Sequence, residues 1–220
     1  MSLFKNAIHK EILGEEFYFL PQKAIFRSSD RALLLSDLHL GKALTFQKNG
    51  IPLSQTPEHK DLQDLEKLIK ETKARNVYFL GDLFHSKINT TVKEVLKFIA
   101  AFSEVNFVLV IGNHDLYSYG KYNLPSNMRE VHVWEDTNFI YNHEPIKTDK
   151  FLFCGHIHPG FVLGTKREKI AFPCFYFVNN SCILPSFGTL TGLHKMDKSE
   201  DAEVLVIAEN KIFLDYFFNP

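Results

Sequence analysis

The 220-residue chain is short of several things that would fix its role at once. No run approaches the roughly 20 apolar residues that a membrane span requires. Near the start, Lys5, His9 and Lys10 are followed by Glu11, Glu15 and Glu16, with no apolar core of the kind a signal peptide carries. Neither charge sign is in excess: 25 Lys and Arg face 26 Asp and Glu, a formal net charge of -1. An overall basic footprint for tight, salt-sensitive binding to long nucleic acid is therefore missing. There are only three cysteines, Cys154, Cys174 and Cys182, spaced neither as a zinc ribbon nor as a Cys-x-x-Cys redox pair. A reducing cytoplasm is the expected setting. Internal repeats, low-complexity tracts and linkers are also lacking.

What is present is a globular composition, 45% hydrophobic and 23% charged, at a length suited to one good-sized core. A single domain spanning 1–220 is expected. Apolar runs recur at Leu33–Leu35, Val77–Leu80, Phe107–Ile111, Phe139–Tyr141 and Phe151–Phe153, and each reads as a buried strand. After Pro57, residues Leu62, Leu65, Leu68 and Ile69 recur at helical spacing, with Lys60, Asp61, Asp64, Glu66, Lys67 and Lys70 expected on the solvent side. Val92, Val95, Leu96, Ile99 and Phe102 repeat the pattern, with Thr90 or Thr91 as N-cap. The first half thus reads β-α-β-α-β.

The second half is β-rich, with strands expected over Ala171–Val178, Ser181–Leu184, Val204–Ile207 and Ile212–Phe218. A two-residue turn at Asn179-Asn180 would set Phe177 opposite Cys182 and leave Cys174 out of register for a disulfide. Phe172, Phe175, Tyr176 and Phe177, with Phe213, Tyr216, Phe217 and Phe218, read as packing residues, since stacking on bases needs exposed rings.

Polar residues of metal-ligating type stand where the apolar runs stop. Asp37 and His39 follow the first run, and alternation along an extended chain would turn them to one side. Asp82 follows the second through Gly81, and Asn113, His114 and Asp115 follow the third through Gly112. Parallel strands of an open α/β sheet gather such groups at their carboxyl ends, and the glycines permit close approach. His143 follows the fourth run, and Gly155-His156-Ile157-His158 the fifth. Carboxylate, imidazole and amide oxygen without thiolate suit Mn, Fe or Zn, with Mn the first choice. Divalent ions so held would acidify bound water, and His114, adjacent to Asn113, is placed to act as an acid beside them.

Asp-x-His, Gly-Asp, Gly-Asn-His-Asp, a lone His and Gly-His-x-His, in that order, resemble the calcineurin-like metallophosphoesterase superfamily. The resemblance implies an α/β fold, a four-layer α/β/β/α sandwich of two mixed central sheets flanked by helices. It implies that Asp37, His39 and His158 bind one metal ion and Asn113, His143 and His156 the other, that Asp82 bridges them, and that His114 acts as the acid. More narrowly, Ser36–Ala43, Gly81–His85, Asn142–Pro145, Gly155–Pro159 and Leu184–Gly188 look like the DNA-ligase-associated metallophosphoesterases. Those are bacterial enzymes encoded near DNA-processing genes, so this resemblance implies a Mn-dependent phosphodiesterase with a functional link to DNA-processing proteins.

Several neighbours carry two readings. His85 contacts the substrate side of the site or is a packed histidine, and Asp115 orients the His114 ring or is a loop acid. Lys42 offers an ammonium to a phosphate oxygen or is a solvated loop charge, and Glu144 supports His143 or is merely exposed. Ser186–Gly192 either cradles an anion or forms a structural turn, the turn being preferred. His9, His59, His132 and His194 lack ligand-like partners. The expected function is hydrolysis of small phosphodiesters such as cyclic nucleotides. The alternatives are a nuclease acting on DNA or RNA in a repair context, and a non-catalytic protein-binding scaffold.

Overall fold

The computed structural model describes residues 3–85, 89–164, 168–197 and 199–214. Its first sheet has seven strands that keep chain order: β1 (Ile8–Ile12), β2 (Glu15–Leu20), β3 (Ala24–Arg27), β4 (Ala32–Leu35), β5 (Asn76–Leu80), β6 (Asn106–Val110) and β7 (Met128–Val131). β1 to β4 form an antiparallel meander. β4 to β7 are parallel, which requires crossovers. Helices α1 (Lys42–Lys48) and α2 (Thr56–Thr72) make the first and α3 (Thr90–Ala101) the second.

The second sheet holds β8 (Trp134–Glu135), β9 (Phe139–Tyr141), β10 (Phe151–Cys154), β11 (Pro159–Gly164), β12 (Lys169–Val178), β13 (Ser181–Ile183), β14 (His194–Lys195), β15 (Glu203–Ala208) and β16 (Lys211–Leu214). Its order is β14-β11-β12-β13-β10-β9-β8, with β15 on β12 and β16 on β15. β9, β10 and β13 run parallel at its centre, and the pairs around β12 are antiparallel. Both sheets are mixed, as expected. Among the described residues all three α-helices come from the first half, and none is long and apolar enough to cross a membrane.

The continuous apolar runs are explained by burial on both faces. Leu33, Leu35, Val77, Phe79, Phe107 and Leu109 pack with Leu65, Leu68, Val92, Val95 and Ile99 of the helices. The alternate residues Leu34, Tyr78, Leu80, Val108 and Val110 meet Phe139, Tyr141, Phe153, Phe175 and Leu205 of the second sheet. Each such side chain stabilises the fold by about 1.5–3 kcal/mol. The turn at Asn179-Asn180 sets Phe177 opposite Cys182, while Cys174 pairs with Val206, and all three cysteines are buried and free. Phe175 and Tyr176 are buried, and Phe172 and Phe177 pack at the core edges. Tyr216, Phe217, Phe218 and the end of the strand expected to Phe218 lie outside the described residues.

Three local expectations are corrected. The first half opens with the β1–β3 meander, of which only β1 reads as charged surface. The N-cap of α3 is Asn89, not Thr90 or Thr91: its Oδ1 accepts the Val92 N–H at 3.2 Å. On α2, Asp61 is not on the solvent side but buried, as is Glu58. Both lie in phase with Leu65 and Leu68, along the stripe facing the sheet.

Candidate metal centre

Parallel register sets the carboxyl ends of β4, β5 and β6 side by side, with Leu35 beside Phe79 and Leu80 beside Val110. The loops leaving those ends carry Asp37, Asp82 and Asn113. From the facing sheet, the parallel pair β9 and β10 delivers His143 and the loop with His156 and His158. All seven residues meet where the two sheets share an edge.

The carboxylates are held by main chain. Asp82 Oδ1 accepts the His114 N–H at 2.8 Å and Asp37 Oδ2 accepts the His156 N–H at 3.0 Å, which leaves one oxygen of each turned inward. Asp37 Oδ1 lies 3.2 Å from His158 Nε2, yet both atoms are buried without a hydrogen-bond partner. Asp82 Oδ2 sits 3.4 Å from His143 Nε2 and 3.7 Å from His39 Nε2, between the two clusters. His143 Nδ1 faces the Leu80 carbonyl at 3.0 Å, so its N–H donates there and Nε2 is turned into the site. Nε2 faces Asn113 Oδ1 at 3.0 Å and His156 Nδ1 at 3.1 Å. Ligand-type atoms of Asp37, His39 and His158 lie within 4.8 Å of one another, as do those of Asp37, Asp82 and His143.

Ligand-type atoms converging on two buried acids favour positive charge at this place, as the electrostatics show. Burial opposes a charge on His143, but its contact with Asp82 and the nearby Asp37 outweigh it and raise the pKa to about 9. Burial pushes Asp82 up, and His143 with the His114 N–H pulls it below the usual carboxylate value. His39 is driven down to about 3 by burial, with His114 and His158 adding repulsion. A neutral imidazole is the form that ligates a metal.

The local backbone departs from the expectation of an extended Asp37–His39 segment. Asp37 (φ 55), His39 (φ 50), Asp82 (φ 51), His156 (φ 67) and His158 (φ 54) are all left-handed, and it is these kinks that aim their side chains. Each costs a non-glycine residue roughly 1–2 kcal/mol, a pattern that gathers at functional sites. Close approach is made by glycines: a Cβ on Gly112 would lie 2.3 Å from Asp82 Oδ1, and one on Gly81 (φ +85) would lie 2.0 Å from His143 Nδ1.

His114 flanks the cluster, its ring 4.9 Å from that of His39 and stacked on His85 at 4.9 Å. Its Nδ1 meets the His85 carbonyl at 2.8 Å, which turns the other ring nitrogen away from that bond. Asp115 does not orient this ring. Its buried carboxylate accepts the N–H groups of Phe84 and Gly112, each at 2.9 Å, stitching the β5 and β6 loops together, and burial lifts its pKa to about 7. His85 Nδ1 is 3.5 Å from His39 Nδ1, and burial, helped by His114 and Lys42, lowers its pKa to about 4. Lys42 is half-buried at the start of α1 with a lowered pKa from burial.

Glu144 is exposed. Ser186–Gly192 is a structural turn: the N–H groups of Phe187 and Gly188 donate to the carbonyls of Ser36 and Asp37, and that of Thr189 to Asp61. At the rim, Tyr117 is 55% exposed with its ring 6.4 Å from His114, and Phe46 lies 6.4 Å from His85. Sequence reasoning passed over both rings because neither belongs to a strand-end motif.

Buried carboxylates and imidazoles at the ends of parallel strands, drawn from two facing sheets, form a candidate metal centre. The calcineurin-like phosphoesterase family profile matches residues 31–180, and the chain belongs to that family. The crystal structure of the nuclease MPE of Pseudomonas putida overlaps it with a TM-score of 0.81 and 27% identity, over 94% of this chain and 100% of that one. Yfce, a phosphoesterase from E. coli, overlaps with a TM-score of 0.38 and 12% identity, over 83% of this chain and 96% of that one. No curated protein matches the sequence.

Family membership implies divalent ions, and the orphaned atoms of Asp37 and His158, with Asn113 Oδ1 and His143 Nε2 close by, fit them. Gly81→Ala is expected to displace the His143 ring and weaken metal binding about 10–100-fold, the usual effect of disturbing what supports a ligand. Calorimetric titration with Mn would show it, and unchanged affinity would refute the close packing.

Proposed function

We propose that the chain is a two-metal phosphodiesterase whose 220 residues act as one domain, since both sheets supply ligands. Asp37, His39 and His158 hold one ion and Asn113, His143 and His156 the other. Asp82 joins them, the role supported by its inward oxygen lying between His39 and His143. Mn is the first choice, with Fe or Zn as alternatives, because the donor set has no thiolate. When bound, such a pair acidifies water and neutralises phosphoryl oxygens.

The protein's own groups then complete the reaction. His114 is oriented by the His85 carbonyl and supplies a proton to the leaving alkoxide. Exposed Tyr117 beside His114 and half-buried Phe46 beside His85 are rings on which a base could stack, which favours nucleotide phosphodiesters. Small cyclic nucleotides remain the leading substrates in view of the balanced charge. The full-length overlap with a nuclease favours a second reading, cleavage of DNA or RNA, in keeping with the resemblance to DNA-ligase-associated enzymes and a link to DNA-processing proteins.

The observation that carries the proposal is the convergence of two buried atoms without hydrogen-bond partners, Asp37 Oδ1 and His158 Nε2, with the Asn113 amide oxygen and the His143 ring nitrogen beside it. Chelator-stripped protein should be inert toward bis-p-nitrophenyl phosphate and regain activity with Mn. Absence of metal-restored turnover would sink the reading. Run in parallel, cyclic nucleotides and single-stranded oligonucleotides separate the two substrate classes.

A further inference from the structure

The loop from Ser36 to Lys42 carries Asp37 and His39 in left-handed conformations that their side chains disfavour, so something outside the loop must hold it. Part of the hold is the neighbouring strand-end loop: Asp37, His39 and Leu40 donate N–H groups to the carbonyls of Gly81, Asp82 and Leu83. The rest traces to two buried acids one helical turn apart on α2.

Glu58 reaches the far end of the loop. Its Oε2 accepts the Gly41 N–H at 3.2 Å and its Oε1 the Ala43 N–H at 2.7 Å, fixing the turn into α1 directly after His39. Asp61 acts on the near end through an intermediary. Its Oδ2 accepts both the N–H and the hydroxyl of Thr189, at 3.0 and 3.2 Å. The segment that ends in Thr189 lies across Asp37: Ser186 Oγ donates to the Asp37 carbonyl at 2.7 Å, the Gly188 N–H donates to it at 3.2 Å, and the Phe187 N–H donates to Ser36 at 2.9 Å. Lys23 donates to the Phe187 carbonyl from the other side. Neither acid forms an ion pair among the described residues, although each is almost fully buried. A buried carboxylate is costly. Lys23 acts on Asp61 and Lys42 on Glu58 from beyond ion-pair distance, and the direct contacts that compensate each acid are main-chain and hydroxyl donors around the ligand loop.

We infer that Glu58 and Asp61 are positioning residues, a carboxylate clamp by which α2 sets the backbone of Asp37 and His39 in ligating geometry. The inference rests on the metal-centre reading. The clamp predicts an asymmetry between conservative changes. Asp61 uses one oxygen for both of its bonds, so Asp61→Asn keeps them. Glu58 uses both oxygens, so Glu58→Gln loses one.

The test is calorimetric titration of chelator-stripped protein with Mn, together with amide hydrogen exchange at Ala43 and Thr189 in the metal-free state. Glu58→Ala and Asp61→Ala should each weaken one of two Mn sites about 10–100-fold, the range for groups that orient ligands. Exchange at Ala43 should rise in Glu58→Ala, and at Thr189 in Asp61→Ala. Asp61→Asn should match wild type and Glu58→Gln fall between. Ile99→Ala, a core truncation on α3, sets the effect of lost stability alone and should leave both Mn sites intact. Wild-type Mn affinity in folded Glu58→Ala and Asp61→Ala, or an equal loss in Ile99→Ala, would overturn the clamp while leaving the metal centre standing. Failure of the wild type to bind Mn would overturn both.

Discussion

Asp82→Ala is expected to remove metal-restored phosphodiesterase activity, by on the order of a thousand-fold or more, and to lower the Mn stoichiometry from two. Loss of a single preorganised group at a developing charge already costs about 10²–10³-fold. Asp82 does more than one such group. Its outer oxygen accepts the His114 N–H, and its inner oxygen lies between His39 and His143. The substitution removes the shared carboxylate and releases the loop that carries His114. Asp82→Asn keeps an acceptor for that N–H but loses the charge, so it should retain the position of His114 and still fail to hold two ions. Turnover by Asp82→Ala above about a tenth of wild type would exclude the bridging role.

The second large effect concerns stability. Arg27→Ala is expected to destabilise the fold by about 1.5–3 kcal/mol, the scale of lost hydrogen bonds to charged groups, since the arginine is buried but its acidic partners are partly solvated. Arg27 is buried on β3 and ties the first sheet to the second. Its guanidinium donates to both oxygens of Asp30, at 2.9 and 2.5 Å, to Asp136 Oδ2 at 2.5 Å, and to the Tyr141 hydroxyl on β9 at 2.7 Å. Tyr78 on β5 also donates to Asp30, at 2.8 Å. Truncation leaves a cavity between the sheets and removes a donor from the buried Tyr141 hydroxyl and from two partly exposed carboxylates. Arg27→Lys keeps the charge, but one ammonium cannot reproduce the planar fork, so an intermediate loss is expected. Denaturant unfolding measures both, and a loss below about 1 kcal/mol in Arg27→Ala would show the network to be dispensable.

The strands that bear candidate ligands were legible because they are buried on both faces, so apolar runs such as Val77–Leu80 have no competing explanation. The polar residues that follow them stood out against those runs. The β1–β3 meander was missed although β2 and β3 carry the apolar runs Phe17–Leu20 and Ala24–Phe26; only β1, which alternates half-buried and exposed residues, reads as charged surface. Asp61 was misread for a related reason. An acid on an amphipathic helix is assigned to solvent by its chemistry, and only its phase with Leu65 and Leu68 signals otherwise. That phase signal was available, and Glu58 shares it.

The candidate centre divides in the same way. The seven residues and their order are a property of the chain: donor type, strand ends and adjacent glycines are all local features. Which nitrogen of each imidazole faces inward is not local, because it depends on carbonyls brought from elsewhere, Leu80 for His143 and His85 for His114. The left-handed backbone at Asp37 and His39 is likewise decided by contacts with residues such as Asp82, Ser186 and Gly188. The candidate ligands, the two-sheet fold and the class of chemistry could thus be read from the chain. How those candidates are aimed could be read only from the folded protein, because orientation is set by hydrogen bonds between segments far apart in the chain and no local pattern encodes a partner's position.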